Sequence, residues 1–165
     1  MAVFLCGFMG CGKSTISAVL SKSMGVSCFD TDTLIVEKEG MSIPEIFEKK
    51  GEKYFREAET KVVEELGNYK GVVACGGGLM LSDINSEMAR KNGVVVFLDT
   101  PFETCYERIS GDKNRPIAVS KTRDELKSLY DERYKKYLKN SDFRVDCTGS
   151  PMEITKLIMK TVSLV

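Results

Sequence analysis

Residues 7–15 have the residue types and the spacing of a site for the phosphates of a nucleotide. The segment reads GFMGCGKST and fits the pattern G-x-x-x-x-G-K-[ST], with Gly7, Gly12, Lys13 and Ser14 at the fixed positions. In this pattern the glycines let backbone N–H groups turn toward the phosphates, and the lysine reaches the β- and γ-phosphates. The serine hydroxyl can ligate Mg²⁺. We therefore predict that this segment binds a nucleotide and its metal ion.

The residues on either side place this segment between a strand and a helix. Residues 2–6, AVFLC, form an apolar run typical of a buried parallel strand. After the segment, apolar residues recur at helical spacing at Ile16, Val19, Leu20 and Met24. We expect the phosphates to lie at the N-terminus of that helix. An ordinary glycine-rich turn is the alternative, but it would not require this order.

Two carboxylates follow the second predicted strand, 26–29. Asp30 and Asp32 are two positions apart, at the strand end where ligands bind in open parallel sheets. One carboxylate can face a metal ion and the other the second substrate. The alternative is that one of them only caps the next helix, predicted over 33–39, and the two interpretations are compatible.

Arg56 lies in a helical segment, 41–66, in which Gly51 is expected to break the helix. It is next to Phe55 and off the apolar stripe. It is either a surface arginine paired with a neighbouring glutamate or a fork that grips a carboxylate or phosphate.

Three consecutive glycines follow the third predicted strand, 72–75. Gly76, Gly77 and Gly78 add conformational entropy to the unfolded chain, which a simple turn would not require. We expect them to allow the backbone to approach a ligand closely. A tight turn into a helix that starts near Ser82 is the alternative.

Three of the arginines that follow the fourth predicted strand, 94–98, are candidates for the site. Arg108 lies on a predicted helix, and Arg115 lies in a segment without apolar periodicity, 110–122. An arginine on a movable loop can close over phosphates, neutralise transition-state charge and exclude water; a solvated loop arginine is the alternative. Arg133 lies on a helix predicted over 123–138, between Tyr130 and Tyr134.

The pattern of elements predicts an α/β fold. Five short apolar strands alternate with helices, the last strand over 143–147 and the last helix over 152–164, which favours a parallel sheet with right-handed crossovers. The 165 residues are 42% hydrophobic, enough for one domain with a real core. No repeat or linker divides them.

The composition excludes several classes of function. The 24 lysines and arginines balance the 24 aspartates and glutamates, which argues against a general binder of nucleic acid or membrane surfaces. The absence of histidine excludes imidazole chemistry. No apolar run approaches the length of a membrane span, and the chain begins directly with a strand, without a charged leader. We expect a cytoplasmic protein.

The six cysteines form no C-x-x-C pair and are expected to be small core residues in a reducing compartment. Cys11 is within the phosphate-binding segment. Its thiol is either exposed and open to oxidation, or it occupies a position that accepts many side chains.

Taken together, these features resemble the shikimate kinases, P-loop kinases of the nucleoside-monophosphate-kinase structural group, over nearly the whole chain. The resemblance rests on the following segments: GFMGCGKST at 7–15, DTD at 30–32, SIPEIFEKKGEKYFREAE at 42–59, GGG at 76–78, RP at 115–116 and ERYKKY at 132–137. It implies a three-layer fold with a parallel sheet in the order 2-3-1-4-5. It also implies a single domain, 1–165, with a shikimate-binding subdomain over 31–60 and a lid over 110–122.

The implied activity is ATP-dependent phosphorylation of the 3-hydroxyl of shikimate, in aromatic amino-acid biosynthesis through chorismate, with Mg²⁺ as cofactor. The resemblance assigns the ATP site to Gly10, Cys11, Gly12, Lys13, Ser14, Thr15, Arg108 and Arg115. It assigns the shikimate site to Asp32, Arg56, Gly77, Gly78 and Arg133. Ser14 and, through water, Asp30 would hold the metal, while Lys13, Asp32 and Arg115 would be catalytic. In this scheme the side chains of Arg56 and Arg133 grip the carboxylate, and Arg108 lies against the adenine.

Two segments depart from the family pattern. The lid continues Pro-Ile-Ala after Arg115, where the family more often has paired leucines, and 146–151 carries no arginine to stack on adenine from that side.

Two other functions share many of these features: a small kinase for gluconate or a nucleoside monophosphate, and an ATP-binding module without catalysis. Asp32, Arg56 and the glycines favour a small hydroxy acid, and every catalytic position has a competent residue. We expect a monomer whose only partners are the small molecules ATP and shikimate, with no nucleic acid and no membrane.

Overall fold

The computed structural model describes residues 1–110 and 120–163. The strands are β1 (Ala2–Cys6), β2 (Ser27–Asp30), β3 (Gly71–Ala74), β4 (Gly93–Asp99) and β5 (Phe143–Asp146). The helices are α1 (Lys13–Met24), α2 (Thr31–Glu39), α3 (Ile43–Leu66), α4 (Asp83–Asn92), α5 (Phe102–Ile109), α6 (Arg123–Lys139) and α7 (Pro151–Val162). A short 3₁₀ turn, Leu79–Leu81, precedes α4.

The five strands form one parallel sheet in the order β2-β3-β1-β4-β5, which confirms the predicted order. β1 lies at the centre, with Phe4 opposite Val73 on one side and Val95 on the other. β1 and β3 are buried throughout, which explains why their sequences are apolar without alternation. The carboxyl end of β1, where the phosphate-binding segment begins, is therefore in the middle of the sheet.

The helices pack against the strands of the sheet and against one another. α1 lies against β2 and β3 and packs on α7, whereas α4 lies against β1 and β4 and packs on α3. At Gly51 the backbone leaves helical geometry with φ 83° and ψ 167°, so the predicted break within α3 is confirmed. None of the helices formed by residues 1–110 and 120–163 is long and apolar enough to cross a membrane.

Side-chain caps account for several helix boundaries. Ser42, Thr122 and Ser150 each form a capping box with the glutamate three positions later. Asp30 accepts a hydrogen bond from the N–H of Thr33 at 3.0 Å, so α2 begins two residues before the predicted start. The alternative that one of the two aspartates caps this helix is therefore correct for Asp30.

Five of the six cysteines are buried, as expected for core residues, and one is not. Cys28 is exposed, because β2 is an edge strand, so its assignment to the core was wrong. Cys11 is buried, with 2% of its surface exposed, so the interpretation as an exposed thiol was also wrong. The other four cysteines are buried as expected.

Candidate active site

The phosphate-binding segment forms the loop between β1 and α1. Gly12 stands at the N-cap of α1 with φ 98°, a left-handed conformation in which a side chain would be strained. Because Gly12 has no side chain, α1 begins without a side-chain cap, unlike α2 and α4. Its first N–H groups are therefore not bonded to a capping side chain, which is the arrangement that binds anions at helix N-termini.

Lys13 places a positive charge within the curve of this loop. Its Nζ donates hydrogen bonds to the carbonyl oxygens of Gly7, at 2.7 Å, and Phe8, at 3.1 Å. The charge of Lys13 also acts on Asp32. It lowers the pKa of that carboxyl, although burial and the charge of Asp30 raise this pKa more. The positive charge of Lys13 thus acts on a carboxylate that follows β2 as well as on the loop.

The residues that follow β4 hold the loop in place. The buried hydroxyl of Thr100 donates to the carbonyl of Cys11 at 3.0 Å, and Arg108 Nη1 on α5 donates to the carbonyl of Gly10 at 3.0 Å. A Cβ on Gly10 would lie 2.7 Å from the carbonyl oxygen of Cys105, so only glycine fits there. Arg108 is therefore beside the loop, while its predicted contact with adenine stays a prediction.

Ser14 and Asp30, the two predicted metal ligands, line one cavity of about 420 Å³. Among the described residues, no group of three or more cysteines, aspartates and glutamates is arranged to hold a metal by itself. Mg²⁺ commonly keeps several waters and is held by one or two protein groups together with substrate phosphates. One hydroxyl and one carboxylate beside a phosphate loop fit that mode of binding.

Asp32 lies in the first turn of α2, half-buried, against the backbone of Gly76. A Cβ on Gly76 would overlap the Asp32 carboxylate. Burial, and after it the charge of Asp30, raises the pKa of Asp32 above its ordinary value, and Lys13 and Arg56 oppose the shift. The neighbouring Thr31 fixes this contact, because its buried hydroxyl accepts a hydrogen bond from the N–H of Gly76 at 2.8 Å.

Each of the three glycines faces a different charged side chain. Gly76 faces Asp32, a Cβ on Gly77 would lie 3.7 Å from Arg133 Nη1, and a Cβ on Gly78 would overlap the guanidinium of Arg56. The run also turns, since the N–H of Leu79 donates to the carbonyl of Gly76, but none of the three glycines has a positive φ. Close approach, rather than the turn, favours glycine at Gly76 and Gly78, whereas a Cβ on Gly77 would meet Arg133 at an ordinary distance. The sequence predicted a close approach but not that the approaching groups are the site's own side chains.

Glu59 is a buried carboxylate that the sequence analysis did not identify. Its Oε2 accepts a hydrogen bond from Arg56 Nη1 at 2.8 Å, and the residue is 1% exposed. Burial raises the pKa of Glu59, Arg56 lowers it, and Asp32 raises it again. A sequence signal was present: Glu59 falls four residues after Phe55 and three before Val62, on the apolar stripe of α3, where a carboxylate needs a partner.

Arg56 and Arg133 line a second cavity, of about 510 Å³, together with Glu59 and Gly78. Arg56 also donates to the exposed carboxylate of Glu52, at 3.2 Å. Arg56 therefore pairs with neighbouring glutamates and also faces a cavity, while its predicted grip on a carboxylate or phosphate stays a prediction. Two guanidinium groups at one cavity are suited to an anionic ligand.

The structure thus brings most of the predicted site residues to the carboxyl ends of β1, β2 and β3. Lys13, Ser14 and Asp30 lie on the phosphate side, and Asp32, Arg56 and Arg133 surround the three glycines. Arg115 and most of the predicted lid, 111–119, lie outside the described residues.

The comparisons with known proteins agree with one another. The profile of the Shikimate kinase family matches residues 9–163 of this chain. A shikimate kinase from Persephonella marina is 42% identical over 159 residues, which are 95% of this chain and 96% of that protein.

Two solved structures of similar proteins match over almost the full length. The crystal structure of shikimate kinase from Aquifex aeolicus superposes with a TM-score of 0.87 at 39% identity, over 99% of this chain and 96% of that one. The shikimate kinase from Acinetobacter baumannii, solved in complex with shikimate, gives a TM-score of 0.90 at 34% identity, over 98% of this chain and 92% of that one.

Proposed function

This chain belongs to the shikimate kinase family, and from that premise we propose how its residues transfer the γ-phosphoryl group of ATP to the 3-hydroxyl of shikimate. The observation that carries the assignment is the run of three glycines, each against one charged side chain. This arrangement gathers a carboxylate and two guanidinium groups around one short stretch of backbone. It matches an acceptor that carries both hydroxyl groups and a carboxylate.

On the nucleotide side, the loop and Lys13 bind the β- and γ-phosphates. The N-terminus of α1 and the Nζ of Lys13 supply the positive potential, and Gly10, Cys11, Gly12 and Thr15 supply backbone N–H groups. Ser14 and, through water, Asp30 would hold the Mg²⁺ of MgATP, which when bound neutralises phosphate charge. Arg108, next to Gly10, would lie against the adenine.

On the acceptor side, Arg56 and Arg133 grip the carboxylate, with the amides of Gly77 and Gly78 alongside. Asp32 accepts a hydrogen bond from the 3-hydroxyl and takes its proton as the oxygen attacks. The new bond joins that oxygen to the γ-phosphorus, and the bond to the β–γ bridging oxygen breaks, which releases ADP. Its raised pKa makes Asp32 a better proton acceptor than an ordinary carboxylate.

We also propose a catalytic role for Arg115, from its position in the motif RP at 115–116. There its guanidinium would neutralise charge on the phosphates in transfer. Residues 31–60 carry Asp32 and Arg56 and would form the shikimate-binding subdomain, with the lid over 110–122. Positioning and charge stabilisation supply most of the rate enhancement in such a reaction, so Asp32 need not be a strong base.

We further propose that the enzyme acts on small molecules alone, as a monomer in the cytoplasm. All six cysteines are free thiols, which supports a reducing compartment. The zero formal charge offers no basic excess for nucleic acid or anionic lipid.

The experiment that tests the proposed function is ADP release from MgATP by the purified protein. Shikimate is compared with gluconate, AMP, CMP and a reaction without acceptor. Release that depends on shikimate alone supports the assignment. Release with another acceptor would overturn the roles of Arg56 and Arg133, and tight ATP binding without turnover on any acceptor would indicate a binding module.

A further inference from the structure

Three tyrosines of α6 donate their hydroxyls to two other parts of the chain, the end of β4 and the glycine run after β3. Tyr130 donates to the carbonyl of Thr100 at 2.8 Å, and Tyr137 donates to the carbonyl of Gly77 at 2.6 Å. Tyr134 donates to the carboxylate of Asp99 at 3.1 Å. Arg133 is on the same helix, three residues after Tyr130 and four before Tyr137. The helix is therefore bonded to other elements one turn to either side of that arginine.

Tyr137 joins Arg133 to the glycine run. The residue is 1% exposed and its hydroxyl donates to the carbonyl of Gly77, while Arg133 Nη1 lies 3.7 Å from the position that a Cβ on Gly77 would take. A tyrosine hydroxyl is protonated at neutral pH and can donate, and burial raises the pKa of Tyr137 further. One buried hydroxyl thus fixes the peptide of Gly77 beside the arginine.

Tyr130 joins the same helix to the phosphate loop through one buried residue. Thr100 is 2% exposed; its carbonyl accepts from Tyr130, and its own hydroxyl donates to the carbonyl of Cys11 at 3.0 Å. This path contains two hydrogen bonds and no exposed link. It sets the distance between the helix that carries Arg133 and the loop that holds the phosphates.

We propose that Tyr137 and Tyr130 are positioning residues with separate effects: Tyr137 fixes Arg133 against Gly77 for binding of the acceptor, and Tyr130, through Thr100, fixes the acceptor side relative to the phosphate loop for transfer. The inference rests on the proposed role of Arg133. Loss of the contact between Tyr137 and Gly77 weakens the hold of Arg133 on the carboxylate, so it affects the binding of the acceptor. Loss of the contact between Tyr130 and Thr100 misaligns the two bound substrates. It therefore affects the rate of transfer, since small displacements from the reactive geometry slow transfer.

The test compares Tyr137→Phe and Tyr130→Phe with Tyr134→Phe as the matched control on the same helix. The control removes a hydroxyl from Asp99, which keeps its bond to Arg144. For Tyr137→Phe we expect the KM for shikimate to rise about 5- to 10-fold, with kcat within about twofold. For Tyr130→Phe we expect kcat to fall about 3- to 10-fold, with both KM values within about twofold. Tyr134→Phe should leave kcat, the KM for shikimate and the KM for ATP within about twofold of the parent values.

Thr100 supplies a second test that does not depend on the tyrosines. Thr100→Val should lower kcat as Tyr130→Phe does, whereas Thr100→Ser, which keeps the hydroxyl, should have the kcat of the parent. In the double variant Tyr130→Phe with Thr100→Val, kcat should fall no further than in the more affected single variant, because both substitutions act on one path. Equal KM for shikimate in Tyr137→Phe and the parent, or additive losses in the double variant, would overturn the inference. So would a lower melting temperature with unchanged kinetics, which indicates a merely structural role.

Arg133→Ala separates this inference from the proposed function. If Arg133→Ala binds shikimate as the parent does, the assigned role of Arg133 is wrong. If Arg133→Ala binds weakly and Tyr137→Phe binds normally, only the positioning role is wrong.

Discussion

The guanidinium of Arg56 occupies the volume that a side chain on Gly78 would fill. A methyl group there forces Arg56 away from its contact with Glu59, whereas a methyl group on Gly77 would meet Arg133 at an ordinary 3.7 Å. We therefore expect Gly78→Ala to raise the KM for shikimate by about tenfold or more, the cost of a displaced charged hydrogen bond.

Gly77→Ala is the matched control, and steady-state kinetics with shikimate varied at saturating MgATP make the comparison. Neither glycine has a positive φ, so backbone strain does not confound it. Similar effects of the two substitutions would contradict the argument from close approach.

Glu59 and Glu52 both accept hydrogen bonds from Arg56, but only Glu59 is buried. Glu59→Gln leaves Arg56 without its buried counter-charge, and we expect the KM for shikimate to rise about tenfold, with the KM for ATP within about twofold. Glu52→Gln removes an exposed partner of the same guanidinium and should change either KM by less than about twofold. Initial rates measured at varied shikimate and varied ATP give both KM values for the two variants. Equal effects of the two substitutions would refute an anchoring role for Glu59.

The raised pKa of Asp32 gives the activity a pH dependence of known sign. In the proposed mechanism transfer needs the ionised carboxylate of Asp32, so we expect kcat/KM to fall as the pH drops through this raised pKa, at a higher pH than an ordinary aspartate would require. In Asp32→Asn this acid limb should disappear from the residual activity. The measurement is a pH profile of kcat/KM for shikimate, and the same limb in the asparagine variant would assign it to another group.

Local signals in the sequence predicted the strands, the parallel sheet and the phosphate loop, whereas the order of the sheet and the roles of most site residues came from the resemblance to the family. The phosphate loop is a contiguous pattern, and Asp32 follows directly from a strand end. What the sequence missed depends on contacts between distant segments: Thr31 bonds to Gly76, and Tyr137 to Gly77 across 60 positions. No local pattern carries that information. Cys28 was placed in the core together with the other cysteines, although the expected strand order already put the second strand at the edge of the sheet, where a side chain can be exposed.

Thr155, on α7, offers a test of packing away from the site. Its hydroxyl is the only buried side-chain polar group without a hydrogen-bond partner in residues 1–110 and 120–163. Thr155→Val keeps the shape and removes an unpaired group, so we expect the free energy of unfolding to be unchanged or to rise by about 1 kcal/mol. Thr161→Val, which removes an exposed hydroxyl bonded to Leu157, is the control. Urea denaturation measures both, and a clear loss of stability in Thr155→Val would show that the hydroxyl has a partner in solution.

The central claim is that Arg56 and Arg133 hold the carboxylate of the acceptor while the phosphate loop binds ATP independently. The most direct test is calorimetric titration of shikimate, and separately of MgADP, into the parent protein, Arg56→Ala and Arg133→Ala. We predict that each substitution weakens shikimate binding by about tenfold or more and leaves the Kd for MgADP within about twofold. Shikimate binding of parental affinity in either variant would contradict the account.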